Sequence, residues 1–345
     1  MAEQVRLRVL RTIQETADAC SFVLEPVDTE LTYRPGQFLT VRVPSERTGS
    51  VARSYSLSSS PVRPDPLTIT VKRTAGGYAS NWLCDHVAKG DVLEVLRPGG
   101  VFTPGSLDDD LLLVAAGSGI TPVMSILKSC LWGGRARVTL IYANRDENAV
   151  IYAGELQALQ RQYAERLTVL HWLESVQGVP SAAALGAIAS PYATREAYVC
   201  GPGPFMDLVV DALTELGAAA SRIHVERFVS LTSDPFNPSV AADDASDAAA
   251  DDRPAGTVEI TLDGQTRRLA WPRSRPLLDV LLDAGLAAPY SCREGSCSAC
   301  ACVVLAGEVK MRRNDVLEAQ DIADGIVLGC QALPMSEHVR VSYDE

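Results

Sequence analysis

Four cysteines crowd into eleven residues near the end of the chain: Cys292, Cys297, Cys300 and Cys302. The spacing is Cys292-x4-Cys297-x2-Cys300, and Cys330 follows after 29 residues. Four thiolates so arranged can hold a 2Fe–2S cluster. Such a cluster needs a loop that wraps it closely and turns backbone N–H groups toward sulfur. The small residues Gly295, Ser296, Ser298 and Ala299 allow that approach. Zinc would ordinarily show two paired Cys-x-x-Cys or Cys-x-x-His units. The expected ligands are therefore Cys292, Cys297, Cys300 and Cys330. Cys302, on a β-branched run, is expected to be a buried core thiol. Cys20, Cys84, Cys130 and Cys200 lie far apart and read as small buried hydrophobes.

Elements must position these groups. The first hundred residues read as β: Gln4 to Leu10, Phe38 to Val43, Val51 to Ser58 and Leu67 to Lys72, with one helix from Ala79 to Val87. That pattern predicts an antiparallel barrel or sandwich. From Leu111 to Cys200, apolar strands (Leu111 to Ala115, Val138 to Tyr142, Leu167 to Leu173, Ala197 to Cys200) alternate with helical stretches, the first from Pro122 to Trp132. This is the pattern of a parallel α/β sheet. Pro235 to Arg253 is rich in Pro, Ser, Ala and Asp and reads as a flexible acidic linker. Beyond it come a hairpin (Thr257 to Leu262, Asp263-Gly264, Thr266 to Trp271), a helix from Pro276 to Ala284, and strands at Val303 to Leu305 and Val339 to Tyr343.

Six further strings carry a resemblance. Arg53-Ser54-Tyr55-Ser56, Val71-Lys72-Arg73 and Ser80-Asn81-Trp82-Leu83-Cys84-Asp85 are similar to the flavin domain of ferredoxin–NADP reductases. Gly117-Ser118-Gly119-Ile120-Thr121-Pro122, Cys200-Gly201-Pro202-Gly203-Pro204-Phe205-Met206 and Val225-Glu226-Arg227-Phe228 resemble that family's nucleotide domain. With a plant-type ferredoxin segment at the end, nearly the whole chain resembles the reductase components of multicomponent oxygenases, most of all those of 3-ketosteroid 9α-hydroxylases. The resemblance implies a multidomain fold: an antiparallel β-barrel FAD domain (1–106), a parallel-sheet NAD domain (107–232), a linker (233–255) and an α+β, β-grasp ferredoxin domain (256–345).

The resemblance also assigns roles. Arg53 offers a planar fork of donors to a flavin phosphate, Tyr55 a stacking face, and Ser56 a hydroxyl near the atom that receives hydride. Val71 and Lys72 join this set. Gly76, Gly77 and Ser80 place a helix N-terminus at a pyrophosphate, as in the FAD rather than the FMN branch. Gly117, Gly119, Thr121, Pro122, Gly201, Pro202 and Met206 are expected at the nucleotide. Cys200 is expected beside the nicotinamide, although a buried strand-end thiol fits as well. Glu226 matches an acid near the transfer site, and Phe228 an aromatic covering the flavin. Asn144, Arg145 and Asp146 are expected at the adenosine ribose and Tyr152 against adenine. Arg145 suits a 2′-phosphate, but Asp146 would repel one, so NADH is preferred over NADPH. The four histidines, His86, His171, His224 and His338, show no ligand spacing.

With 31 Lys and Arg against 43 Asp and Glu, the net charge of −12 disfavours nucleic acid and anionic lipid as partners. Met1 to Ala19 has no continuous apolar stretch, and Leu111 to Leu127 is broken by Gly117, Gly119 and Pro122, so a cytoplasmic chain is expected; separately, a monomer is the expected working form. Nine cysteines there argue against a disulfide framework. No globin, Rieske or substrate-hydroxylating signature is read in the chain. The expected function is electron transfer from NADH through FAD and a 2Fe–2S cluster to a separate terminal oxygenase of Rieske type. The rivals are the reductase of phenylacetyl-CoA epoxidase, of the same architecture, and a redox-sensing module without turnover.

Overall fold

The structure, a computed structural model, describes residues 4–231, 234–236 and 256–344. The expected linker, 233–255, lies outside them apart from 234–236.

Six strands form the first sheet: β1 (Gln4–Thr16), β2 (Ala19–Pro26), β3 (Phe38–Ser45), β4 (Gly49–Ser56), β5 (Leu67–Lys72) and β6 (Val92–Leu96), in the order β4-β3-β6-β1-β2-β5. Val5, Leu7 and Val9 alternate inward along β1, the period of a strand with one buried face. A bridge between Leu57 and Ile69 joins the two edges and closes the barrel. Helix α1 (Tyr78–His86) sets Ala79 and Leu83 into the barrel core.

The second sheet is parallel: β7 (Leu111–Ala116), β8 (Val138–Asn144), β9 (Leu167–Leu173), β10 (Glu196–Cys200) and β11 (Ile223–Glu226), in the order β11-β10-β7-β8-β9. Leu111, Leu113 and Ala115 face one core with α2 (Ile120–Gly133) and α3 (Ala153–Gln162). Leu112 and Val114 face the other, after the short α4 (Glu174–Gln177), with α5 (Ala182–Ala189) and α6 (Gly203–Glu215). Helices on both faces explain the unbroken apolar runs. Because β7 lies between β10 and β8, the chain reverses its winding there, and the crevice at their carboxyl ends is where such sheets bind ligands. Helix α2 is buried on nearly every side, since it is wedged between sheet and barrel. Ser125 Oγ donates to the Ser59 carbonyl at 2.6 Å, and Lys128 Nζ meets Asp65 at 2.8 Å.

The third sheet, β13-β12-β18-β14-β16, is mixed. It contains β12 (Gly256–Leu262), β13 (Gln265–Trp271), β14 (Ala301–Ala306), β16 (Ile326–Leu328) and β18 (His338–Ser342), with β15 (Val309–Met311) and β17 (Ala332–Pro334) pairing alongside. Leu277, Leu278 and Leu281 of α7 (Leu277–Asp283) cover it with Trp271, and α8 (Ala319–Ala323) lies at its edge. Among the described residues, no helix is long and apolar enough to cross a membrane.

Candidate redox site

Arg53, Tyr55 and Ser56 follow one another on β4, and Thr74 to Ser80 turns the chain from β5 into α1. Gly77 begins this helix without a side-chain cap, leaving first-turn N–H groups for an anion. The turn is fastened from inside: Ser80 Oγ accepts from the Thr74 N–H at 3.0 Å, and Asn81 Nδ2 donates to the Thr74 carbonyl at 3.0 Å. A Cβ on Gly77 would stand 2.9 Å from Thr74 Cβ. Arg53 Nη1 donates to the Leu231 carbonyl at 3.2 Å, binding β4 to the segment after β11.

The nucleotide crevice lies across the seam. Gly117 takes a left-handed φ of +53°, and Gly119 lets the start of α2 rest on the end of β10. A Cβ on Gly119 would come 2.1 Å from the Cys200 carbonyl oxygen. A Cβ on Gly201 would meet that of Ala116 at 3.0 Å. Thr121 Oγ1 donates to the Ser118 carbonyl at 3.0 Å, and the Tyr142 hydroxyl to that of Gly117 at 3.0 Å, so the loop is preformed. Asn144, buried at the end of β8, has an amide unpartnered within ordinary hydrogen-bond distance among the described residues, as a group awaiting a ligand would be. Lys72 Nζ lies 3.6 Å from the position a Gly117 Cβ would take. Cys200 and Glu226 are direct neighbours in the parallel register of β10 and β11, both buried. Burial first, then the charge of Asp321, pushes the Glu226 carboxyl up to about 8; burial also raises the Cys200 thiol.

The four cysteines of the C-terminal loop meet. Cys292 contacts Cys297 and Cys330, and Cys330 contacts Cys300, all buried. Backbone N–H groups already point at the sulfurs: Cys292 to Cys297 Sγ at 3.5 Å, Glu294 to Cys292 Sγ at 3.4 Å and Cys330 to Cys300 Sγ at 3.5 Å. Gln331 Nε2 reaches Cys330 Sγ at 3.5 Å. Ser298 Oγ, buried in the same loop, finds no partner among the described residues. Four clustered sulfurs surrounded by N–H donors fit a 2Fe–2S group. Cys302 is buried beside them, as expected of a core thiol.

This loop lies against the barrel. Thr40 and Ser291 share a hydrogen bond at 2.8 Å, a Cβ on Gly99 would stand 2.9 Å from the Ala299 Cβ, and Cys292, Cys297 and Ala299 form one apolar cluster with Phe38, Ala52 and Leu231. Phe236 packs on it, and Asp234 accepts from Ser50 Oγ. Arg227 ties the sheets together, its Nε donating to Glu318 and its Nη2 to Asp207, each at 2.9 Å.

Comparison with known proteins agrees with this three-domain architecture. Residues 4–103 match the oxidoreductase FAD-binding domain, 113–211 the oxidoreductase NAD-binding domain, and 260–335 the 2Fe-2S iron-sulfur cluster binding domain. A 3-ketosteroid-9-alpha-monooxygenase ferredoxin reductase component from Mycolicibacterium smegmatis is 57% identical over 99% of this chain and 97% of its own. The chain belongs to that family of reductases. One subunit of the 1,2-phenylacetyl-CoA epoxidase of Escherichia coli is 31% identical over 98% of this chain and 97% of its own. The structure of phthalate dioxygenase reductase, which carries electrons from pyridine nucleotides to a 2Fe–2S group, superposes with a TM-score of 0.58 at 25% identity, covering 98% of both chains.

Within this reductase several expected site residues already have partners or surroundings of their own. Tyr152 is buried, takes a left-handed φ of 61°, and gives its hydroxyl to Thr70 of the barrel, so no ring face is free for adenine. Met206 belongs to the core beneath α6, and Val71 to the barrel core, so neither presents its side chain to a cofactor. Ser80 holds its own turn. Asp146 caps the following turn, accepting from the Asn148 and Ala149 N–H groups. Phe228 is 51% exposed. The one Cys-x-His string, Cys84-Asp85-His86, is no ligand pair: Cys84 turns to Cys20, and His86 to the Trp82 carbonyl. Gln331, Thr40, Ser291 and Gly99 carry no local motif, and nothing in the sequence alone marks them.

Proposed function

We propose that the chain takes electrons from NADH at the crevice between barrel and parallel sheet and hands them, through its C-terminal domain, to a terminal Rieske-type oxygenase that hydroxylates a 3-ketosteroid at C9. FAD, when bound, accepts a two-electron hydride, and the 2Fe–2S group carries single electrons outward. The protein's part is positioning. Arg53, Tyr55, Ser56 and the turn at Gly76 and Gly77 hold the flavin. Gly117, Gly119, Thr121, Pro122, Gly201 and Pro202 shape the nucleotide loops. Cys200 and Glu226 line a dry patch at the transfer point, and the exposed Phe228, two positions after Glu226, is left to cover the flavin. Cys292, Cys297, Cys300 and Cys330 hold the metal centre.

The observation that carries this reading is the shared apolar cluster of Cys292 and Cys297 with Phe38 and Ala52. It sets the metal loop against the strand that bears Arg53 to Ser56. NADH is favoured over NADPH because Asp18 engages Arg145, the cation suited to a 2′-phosphate, at 3.2 Å. The greater likeness to the steroid reductases than to the epoxidase subunit favours the steroid partner. The same reading has the chain working as a monomer in the cytoplasm.

The test mixes this protein with a steroid 9α-oxygenase component, NADH and androst-4-ene-3,17-dione. Coupled NADH loss and 9α-hydroxysteroid formation are expected. Fast reduction of cytochrome c with no steroid product would keep the reductase and sink the partner.

A further inference from the structure

Two thiols with no part in the redox site lie against each other. Cys20, on β2, and Cys84, on α1, are 64 positions apart, yet their Sγ atoms stand 2.6 Å from one another. A disulfide places its sulfurs about 2.05 Å apart, so the pair already stands within reach of a bond. Cys84 Sγ also faces the Val71 carbonyl, at 3.8 Å. Cys20 is buried and Cys84 half-buried, so the Cys84 side is the one from which a small reagent approaches the pair. That division suits a pair in which one thiol attacks and the other resolves.

The surroundings favour the same division. The hydrogen bond from Cys20 holds the Cys84 thiol below its ordinary range, with the Arg73 charge adding to it, while Cys20 is pushed up. Arg73 is fixed beside the pair by Asp85 at 2.7 Å. Tyr55 and Trp82 pack into the same cluster, so the pair lies in the wall of the flavin barrel, far in sequence from the metal-binding thiols.

We propose that Cys20 and Cys84 form a reversible dithiol, a modification site that closes to a disulfide by exchange with low-molecular-weight disulfides. The Cys84 thiolate attacks one sulfur of the small disulfide RSSR, and RS⁻ leaves with the proton that Cys84 gave up. Cys20 then attacks the Cys84 sulfur of the mixed disulfide, expelling the second RS⁻, which takes the Cys20 proton. Two protein thiols are oxidised, and RSSR is reduced to two RSH. The closed bridge staples β2 to α1, the helix whose first turn carries Gly76 and Gly77. In a reducing compartment such a bond is regulatory rather than architectural.

The full chain, loaded with FAD and cluster, is incubated with oxidised glutathione, alkylated and mapped by mass spectrometry, with the visible spectrum followed to show that the cluster survives. The wild type is expected to lose two alkylatable thiols and give a Cys20–Cys84 linked peptide that dithiothreitol reverses. Cys20→Ser should instead retain a stable glutathione adduct on Cys84, and Cys84→Ser neither adduct nor link. The proposal is overturned if both thiols remain alkylatable, or if the wild type retains the glutathione adduct without forming the link. The wild-type map decides alone should a serine variant fail to fold.

Discussion

Glu226 closes β11 beside Cys200, and burial has lifted its carboxyl from the ordinary 4.5 to about 8. The sign of the consequence follows from proton counting. Between these two values the folded chain holds a proton that the unfolded chain has released, so stability falls as pH rises through that window, and the loss is complete above about 8. Each unit of such a shift is worth about 1.4 kcal/mol. Glu226→Gln keeps the shape and removes the titration. Its thermal midpoint should match the wild type near pH 5 and exceed it near pH 8.5, by the equivalent of at least roughly 1 kcal/mol. Midpoints that decline in parallel for the two proteins would dismiss the buried acid as the cause. Asp321, on the ferredoxin side, adds to the lift, so Asp321→Asn should recover a smaller part of the same difference.

The elements around the crevice depend on backbones in contact. At Gly119 an added methyl would enter the Cys200 carbonyl and approach the Gly201 nitrogen at 2.7 Å, so β10 and α2 would have to part. Overpacking of this kind costs roughly 1–3 kcal/mol, and here the obstacle is backbone rather than a flexible side chain. Gly119→Ala should therefore lower the thermal midpoint clearly and abolish bleaching of the flavin by NADH. Gly105→Ala, where nothing stands within 4 Å, should do neither. If the two variants behave alike, the close approach is not what the glycine serves. The Gly117 to Pro122 loop is legible in the sequence because strand, turn and helix are consecutive, and the cysteine loop because its spacing is itself local. Strand β2 is not: it pairs with β1 on one side and β5 on the other, and six successive buried residues erase the alternation that marks a strand. Pro122 suggests a helix start at its own position, yet α2 begins at Ile120, since proline is tolerated anywhere in the first turn. Tyr152 reads as an adenine platform in the sequence because its partner, Thr70, is 82 positions away.

At the scale of the whole molecule the decisive contacts join residues that no sequence window contains. Thr40 and Ser291, 251 positions apart, bring the metal loop onto the barrel, and Gly99 lies under Ala299 with no room for a side chain. Gly99 also exchanges backbone hydrogen bonds with Phe38, at 2.9 and 3.1 Å, so the barrel wall cannot easily retreat. Gly99→Val would therefore push the cysteine loop outward while leaving Arg53 to Ser56 and the nucleotide loops in place. Two acceptors separate these effects. Ferricyanide, small enough to reach the flavin directly, should be reduced by NADH at the wild-type rate. Cytochrome c, which draws on the metal centre, should be reduced several-fold more slowly, and coupled steroid hydroxylation should fall with it. Equal losses with both acceptors would mean that the substitution damaged the flavin barrel itself. Unchanged rates with both would mean that electrons leave by a route other than this seam. Only the split outcome is what a path running across the Phe38–Cys297 cluster requires, because only that path crosses the surface that Gly99 keeps thin.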